Sequence, residues 1–564
     1  MENIIAEIKG QIEKTVCNAI DKMVGQGELP HPFEGELLIE TPREKSHGDF
    51  ATNVAMQFAR EAKKAPRMIA EGIVQNMDFS GTYLSKAEVA GPGFINFRLD
   101  RAWFYDAVRL MEARGGDYGR QNIGQGKKVM IEFVSANPTG PMHMGNARGG
   151  ALGDSLAAVM EACGYAVTRE FYLNDAGAQI EKLGKSLEAR YIQILKGEDA
   201  VQFPEDGYHG KDIRIHMEAF IQEYGNRYLE ADSAERKAVF TSYVLKKNIA
   251  KLKEDLSKYR INYDVWFPET SLHNSGEVGE TIELLKKSGY TYEKEGALWL
   301  KTTEFGLDKD DVLVRNTGIP TYFAVDIAYH RNKFLVRGFD KVINIWGADH
   351  HGHVARMKAA MAAMGVDPDR LEIILMQLVR LVKDGSPVKM SKRTGEMITL
   401  SDILEEIGID ATRFFFNLRQ ADSHFDFDMD LAADQSNENP VYYVQYAHAR
   451  ICSILARLGE ENISSKRCAE IPLERLEQPE ELELIETLAK YPEELRQASE
   501  TYDPTRLTRY TVELAGAFHT FYNACRVKCE QEDLMYARLK LVEMVKSTIA
   551  SSLGLLGVTA PEKM

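Results

Sequence analysis

Val129-Met130-Ile131-Glu132-Phe133-Val134 is a short apolar run rich in β-formers. It is followed by Ser135-Ala136-Asn137-Pro138-Thr139-Gly140-Pro141-Met142-His143-Met144-Gly145-Asn146, which is turn chemistry, and then by ARGGALGDSLAAVMEACGY (147–165), which reads as a helix. Strand, glycine-rich turn and helix in that order open a nucleotide-binding α/β domain. The alternation returns in YAVTREFYL, in KVINIWG with the helical HVARMKAAMAAMG, and in LEIILMQLVRLV, so a mostly parallel sheet is expected.

Working outward, residues 1 to about 110 read as an α+β unit. Its first helix carries Ile4, Ile5, Ile8, Ile12 and Val16 at helical spacing, and it closes on KAEVAGPGFINFRL. The polar RQNIGQGKK (120–128) suits a linker into a sheet domain expected over 120–375. Between about 185 and 300 long charged helical stretches predict an insertion into that sheet domain. A further region is expected over 376–436, and from 437 to 564 the chain reads as all-helical, with Val441, Val444, Ile451, Ile454, Leu455 and Leu458 on one stripe behind Asn439-Pro440.

The chain has 564 residues, 44% of them hydrophobic and 27% charged, which suits a soluble multidomain protein and disfavours disorder and disulfide scaffolds. Its net charge of −16 argues against indiscriminate nucleic-acid binding, though not against a local basic groove. The amphipathic MENIIAEIKGQIEKTVCNAI is no secretory signal, and no stretch is long and apolar enough for a membrane span. The six cysteines are expected to be reduced thiols of a cytoplasmic protein. Cys525 and Cys529 are spaced as one helical turn, with no second pair to complete a zinc site.

Three constellations carry chemistry. His143-Met144-Gly145-Asn146 sits where a helix start offers unpaired N–H groups and a positive dipole end to a phosphate. Gly145 there allows close approach of a planar base, although taken alone this could be an ordinary strand-to-helix turn. Lys389-Met390-Ser391-Lys392-Arg393-Thr394-Gly395 is a cationic loop suited to a pyrophosphate leaving group; alone it also fits a solvated charge cluster. Glu132, a carboxylate in an apolar strand, demands a cationic partner, and Tyr322 and Asp326 share one helical face. Carboxylates and a phenol around one cavity suit a planar, five-donor guanidinium, while an edge-strand Glu132 and a salt-bridging Asp326 remain alternative readings.

The first two motifs, in this order and context, resemble the HIGH and KMSKS signatures of class I aminoacyl-tRNA synthetases. SANPTGPMHMGNARG, TYFAVDIAYHR, WGADHHGH, KMSKRTG, NPVYYVQYAHARI and FYNACRV are each similar to the arginyl-tRNA synthetases, and the likeness runs nearly the whole length. The resemblance implies a Rossmann-like catalytic domain, an additional α+β N-terminal tRNA-binding domain and an all-α anticodon-binding domain. It implies ATP with Mg2+, L-arginine and tRNA(Arg) as partners, no structural metal, a monomer, and an activation step that needs bound tRNA. Glu132, Tyr322 and Asp326 would clasp the guanidinium; Ser135, Asn137 and His143 would hold the α-amino and carboxylate groups. His143, Gly145 and Asn146 would receive ATP, Gly347 and Asp349 would lie near its ribose, and His350 would sit beside the amino acid. Lys389 and Lys392, with Met390 and Ser391 between them, would meet the β- and γ-phosphates. The sequence departs from many family members at Asn146, where they have His; an amide can donate to ATP but cannot titrate.

Three rivals remain open at this point. Another class I ligase or nucleotidyltransferase would not want Glu132, Tyr322 and Asp326. A metal hydrolase could use Asp349-His350-His351-Gly352-His353, and a non-catalytic RNA-binding paralogue would not need the signature residues.

Overall fold

The computed structural model describes residues 2–388 and 398–564. Helix Ile4–Gly25 turns Ile8, Ile12, Val16 and Ile20 into the first core, and the Asn3 side chain caps it by accepting the Ala6 N–H at 3.1 Å. Behind it lies an antiparallel sheet of β1 (Phe50–Thr52), β2 (Leu84–Ala90) and β3 (Phe94–Leu99), in the order β1-β3-β2. The β2–β3 turn needs a glycine: Gly93 has φ +140, and a Cβ there would lie 2.8 Å from the Pro66 Cβ.

Helix Ala102–Arg114 follows this sheet and, with the turn after it, seats it on the C-terminal region, where the Cys468 N–H donates to Glu112 at 3.0 Å and Tyr118 Oη donates to the Leu488 carbonyl at 3.0 Å.

The central sheet starts with β4 (Lys128–Glu132), β5 (Ala166–Leu173) and β6 (Val265–Pro268). A small antiparallel sheet of β7 (Thr291–Lys294), β8 (Ala297–Leu300) and β9 (Asp311–Val314) follows, and the chain returns with β10 (Lys341–Gly347) and β11 (Leu371–Met376). The central order is β11-β10-β4-β5-β6, every pairing parallel. The strand order reverses between β4 and β10, with the chain running outward through β5 and β6 on one side and through β11 on the other, so the crevice beyond their carboxyl ends is the natural binding position.

The expected insertion does not run unbroken over 185–300, because β6 within that span belongs to the central sheet. Helices Ala178–Lys196, Lys211–Tyr224 and Ser233–Lys258 form the excursion, around a core of their own that includes Leu187, Tyr191, Phe220 and Phe240. β6 then rejoins the central sheet against β5, with Trp266 stacked on Phe171 at 4.4 Å. A four-residue strand beside charged helices offers too little periodicity to be recognised from sequence.

Beyond β11, strands β12 (Val379–Lys383), β13 (Ser386–Pro387) and β14 (Phe425–Asp428) make a third small sheet. Wholly buried Arg148, on helix Met144–Ala162, ties this region to the signature helix. It donates to the carbonyls of Gln377 at 2.9 Å, Ser423 at 3.1 Å and Gln420 at 2.7 Å, while burial lowers its guanidinium to about 10. The remainder is helical, opening with Pro440–Glu460, whose Asn439 side chain accepts the Val441 N–H at 3.1 Å. Cys525 and Cys529 do not share a helical turn: helix Thr505–Ala524 stops first, with Cys525 extended at φ −120, ψ 111. No helix among the described residues is long and apolar enough to cross a membrane.

Candidate active site

β4 delivers the chain into a strained corner. Val134 and Ser135 have φ 69 and 41, a left-handed conformation that is unfavourable for a β-branched valine. Ser135 Oγ there donates to Glu132 Oε1 at 3.0 Å and accepts the Tyr172 N–H at 3.1 Å. Eight residues on, His143 caps helix Met144–Ala162, its Nδ1 accepting the Gly145 N–H at 3.1 Å. Accepting at Nδ1 leaves the proton of a neutral imidazole on Nε2, which makes that nitrogen a donor. Gly145 permits the cap, because a Cβ there would lie 2.9 Å from His143 Cε1.

Ser135, Asn137, His143 and Asn146 line one cavity of about 690 Å³, together with Tyr208, His209, Lys211 and Asp212 from the helical excursion. A helix N-terminus, an Nε2 donor and Lys211, the last with Asp212 beside it, give this cavity hydrogen-bond donors for an anion.

Tyr322 and Asp326 lie on helix Tyr322–Arg331, and both line a second cavity of about 950 Å³ with Asp349, His350 and His353. Asp326 Oδ2 is 3.0 Å from His353 Nε2, and Tyr322 Oη accepts the Ala178 N–H at 3.3 Å. Glu269, buried at the carboxyl end of β6, stands nearby. Burial, reinforced by Asp326, raises its carboxyl above the ordinary range, despite a hydrogen bond from Tyr172. The Tyr172 phenol is pushed strongly upward by burial and then by the charges of Glu269, Asp326 and Glu132, so all three carboxylates act on one spot. Glu269 and Asp326 beside one phenol, with only His353 against Asp326, suit a cation with many donors.

The residues expected from sequence are therefore divided. Ser135, Asn137, His143 and Asn146 meet in the first cavity, and Tyr322, Asp326, Asp349 and His350 in the second. Gly347 closes β10, where a Cβ would lie 2.5 Å from Asp349 Oδ1. Glu132, expected at the guanidinium, lines neither cavity. It is buried, with Lys333 Nζ 2.5 Å from Oε2 and Ser135 on Oε1; the cationic partner that burial demands comes from within the chain. Lys389, Met390, Ser391 and Lys392 lie outside the described residues. The chain re-enters at Ile398, whose carbonyl accepts the Met144 N–H at 3.3 Å, and Leu400 N–H donates to the Met142 carbonyl at 2.9 Å.

Sequence reasoning passed over Glu269, Tyr172, Lys211 and Lys333. Glu269 had a signal, an acid directly after a short aromatic strand (VWFP); Lys333, inside NKFLV, had none. Among the described residues no three His, Cys, Asp or Glu side chains gather as a metal site, and His353 of the DHHGH stretch pairs with Asp326.

Models of three families match: the arginyl tRNA synthetase N terminal domain over residues 7–99, the catalytic domain of class I (R) tRNA synthetases over 109–430, and the DALR anticodon binding domain over 444–564. The chain belongs to the arginyl-tRNA synthetases. It is 60% identical over 564 residues to the arginine–tRNA ligase of Ruminiclostridium cellulolyticum and 58% identical to that of Acetivibrio thermocellus, covering 100% of every chain concerned. Among solved structures, a putative arginyl-tRNA synthetase from Campylobacter jejuni superposes with TM-score 0.74 at 34% identity, over 83% of this chain and 100% of that one. The Thermus thermophilus arginyl-tRNA synthetase has the same fold, with TM-score 0.76 at 22% identity over 99% and 100% of the chains.

Proposed function

We propose that the two cavities are the halves of one adenylation site, in which this arginyl-tRNA synthetase activates L-arginine with Mg·ATP and passes it to the 3′ terminal adenosine of tRNA(Arg). Supporting this is the meeting of Glu269, Asp326 and the phenol Tyr172 at the carboxyl ends of the sheet that also presents the His143-capped helix. The guanidinium lies against Asp326 and Glu269, with Tyr322 over it. Its planar fork of donors satisfies two carboxylates at once, which a lysine ammonium cannot match. Ser135 and Asn137 take the α-amino and carboxylate groups. The helix N-terminus, His143 Nε2–H and the Asn146 amide take the phosphates, Gly347 and Asp349 the ribose, and His350 stands beside the amino acid. Mg2+ arrives with ATP as part of the substrate.

The arginine carboxylate attacks the α-phosphorus in line; its bond to pyrophosphate breaks, and arginyl-adenylate forms. Lys389 and Lys392 meet the β- and γ-phosphates and neutralise charge growing on the leaving group. The terminal adenosine hydroxyl then attacks the activated carbonyl, releasing AMP. No step needs a strong protein base, so positioning and charge carry the catalysis, and Asn146 in place of a titrating histidine is no handicap.

Tyr446, Arg450 and Tyr522 on the C-terminal helices offer a platform to anticodon bases. Arg450 donates to Tyr446 Oη at 2.7 Å and to Tyr522 Oη at 3.2 Å, and its guanidinium lies 4.7 Å from the Tyr522 ring centre. The N-terminal domain meets the tRNA elbow. ATP–pyrophosphate exchange with each amino acid in turn, tRNA present, tests the reading: exchange with arginine alone supports it, and exchange driven by another amino acid refutes it.

A further inference from the structure

We propose that Glu132 and Lys333 form a positioning pair, in which Glu132 acts on arginine through Ser135 and does not touch the guanidinium, while Lys333 holds Glu132 to that task. The inference rests on the two-cavity reading above and adds a division of labour within it.

Lys333 is wholly buried in a π-helical turn, Asn332–Val336, at the end of the helix that bears Asp326. Such wide turns redirect a side chain that a regular helix would aim elsewhere. Its Nζ donates to Glu132 Oε2 at 2.5 Å and to Asn344 Oδ1 at 3.0 Å. The Asn344 amide nitrogen lies 2.8 Å from His330 Nε2, and His330 Nδ1 lies 2.8 Å from the Asp326 carbonyl oxygen. Only one assignment satisfies every contact: Asn344 donates to Nε2, and Nδ1–H donates to Asp326. Burial, with the Lys333 charge beside it, keeps that imidazole neutral, as the assignment requires.

At the other end Glu132 Oε1 accepts from Ser135 Oγ, the residue held in the left-handed region at φ 41. A buried chain of hydrogen bonds thus runs from the Asp326 backbone to the Ser135 hydroxyl, joining the guanidinium half of the site to the half that takes the α-groups. A buried ion pair is weak evidence of stability, since apolar residues of similar volume serve as well or better. What this pair does that apolar residues cannot is fix the direction of one hydroxyl in a strained corner.

The test uses the full chain with tRNA and two probes, arginine as substrate and butylguanidine, a guanidinium without α-groups, as competitor. In Glu132→Gln and in Lys333→Met the arginine KM should rise about tenfold or more, as expected for losing a hydrogen bond at a charged group. Butylguanidine inhibition should stay within about twofold of the unaltered protein, because its contacts are elsewhere. Parallel weakening of both probes would overturn the proposal, placing Glu132 on the guanidinium; an unchanged arginine KM would overturn it as well. If Lys333→Met fails to fold, the double variant Glu132→Met/Lys333→Met removes both charges. It should show the same split between the probes, and a return to the unaltered arginine KM would count against the pair. Loss of arginine-dependent exchange in the unaltered protein would instead overturn the underlying reading.

Discussion

Replacing Glu269 by Gln separates binding from stability, because the two should move in opposite directions. Glu269 is 5% exposed, and burial together with Asp326 raises its carboxyl above the ordinary range. In the empty protein Tyr172 and His273 offset the burial of its charge only in part; in the arginine complex it is a partner of the guanidinium. Removing one charge-assisted hydrogen bond costs about 1.5–3 kcal/mol, so arginine kcat/KM should fall about 10- to 150-fold while the ATP KM stays within about twofold. The arginine-free protein should melt at the same temperature or a few degrees higher, since neutral Gln relieves desolvation and repulsion from Asp326. Steady-state exchange with tRNA present and calorimetry with and without arginine read both effects. An arginine KM unchanged in Glu269→Gln, or equal losses for arginine and ATP, would refute the reasoning.

The raised Glu269 carboxyl also predicts a pH dependence. Protonation, favoured in the empty fold, removes a guanidinium partner, so the arginine KM should rise as pH falls through the Glu269 value, and Glu269→Gln should flatten that limb. For empty-fold stability the sign is reversed: the contribution of a raised carboxyl is present below its unfolded value and is lost as pH rises through the folded one. Glu493 is the opposite case. Burial pushes it up, but hydrogen bonds from Arg496 and Gln497 and the charge of Lys9 outweigh this and bring it to about 2, from an ordinary 4.5. Its contribution, up to about 3 kcal/mol, is present above pH ~4.5 and fades towards pH ~2, so the stability gap to Glu493→Gln in denaturant melts should close over that window. Lys392→Ala should slow adenylate formation about 100-fold in single-turnover assays while leaving arginine affinity within about twofold, because the lysine is assigned to a charge that grows only in the transition state.

Much of the site was legible because local chemistry carried it. The strand, turn and helix around His143 announce themselves through apolar runs and glycine, and Tyr322 and Asp326 face the same way because they are one helical turn apart. The need of Glu132 for a cation also follows from a carboxylate in an apolar strand, but the source of that cation does not. Lys333 arrives from 201 residues downstream through a π-turn that no short pattern encodes. β6 was hidden for a related reason: VWFP becomes a strand through its pairing with β5, not through periodicity of its own. Glu269 was lost with it, since its importance depends on standing at that strand's carboxyl end.

A structure of the protein with a non-hydrolysable arginyl-adenylate bound tests the division of labour most directly. The guanidinium should lie within about 3.2 Å of the Asp326 and Glu269 carboxylates, with Glu132 still bonded to Lys333 and Ser135. A guanidinium seated on Glu132, with Lys333 displaced, would contradict it.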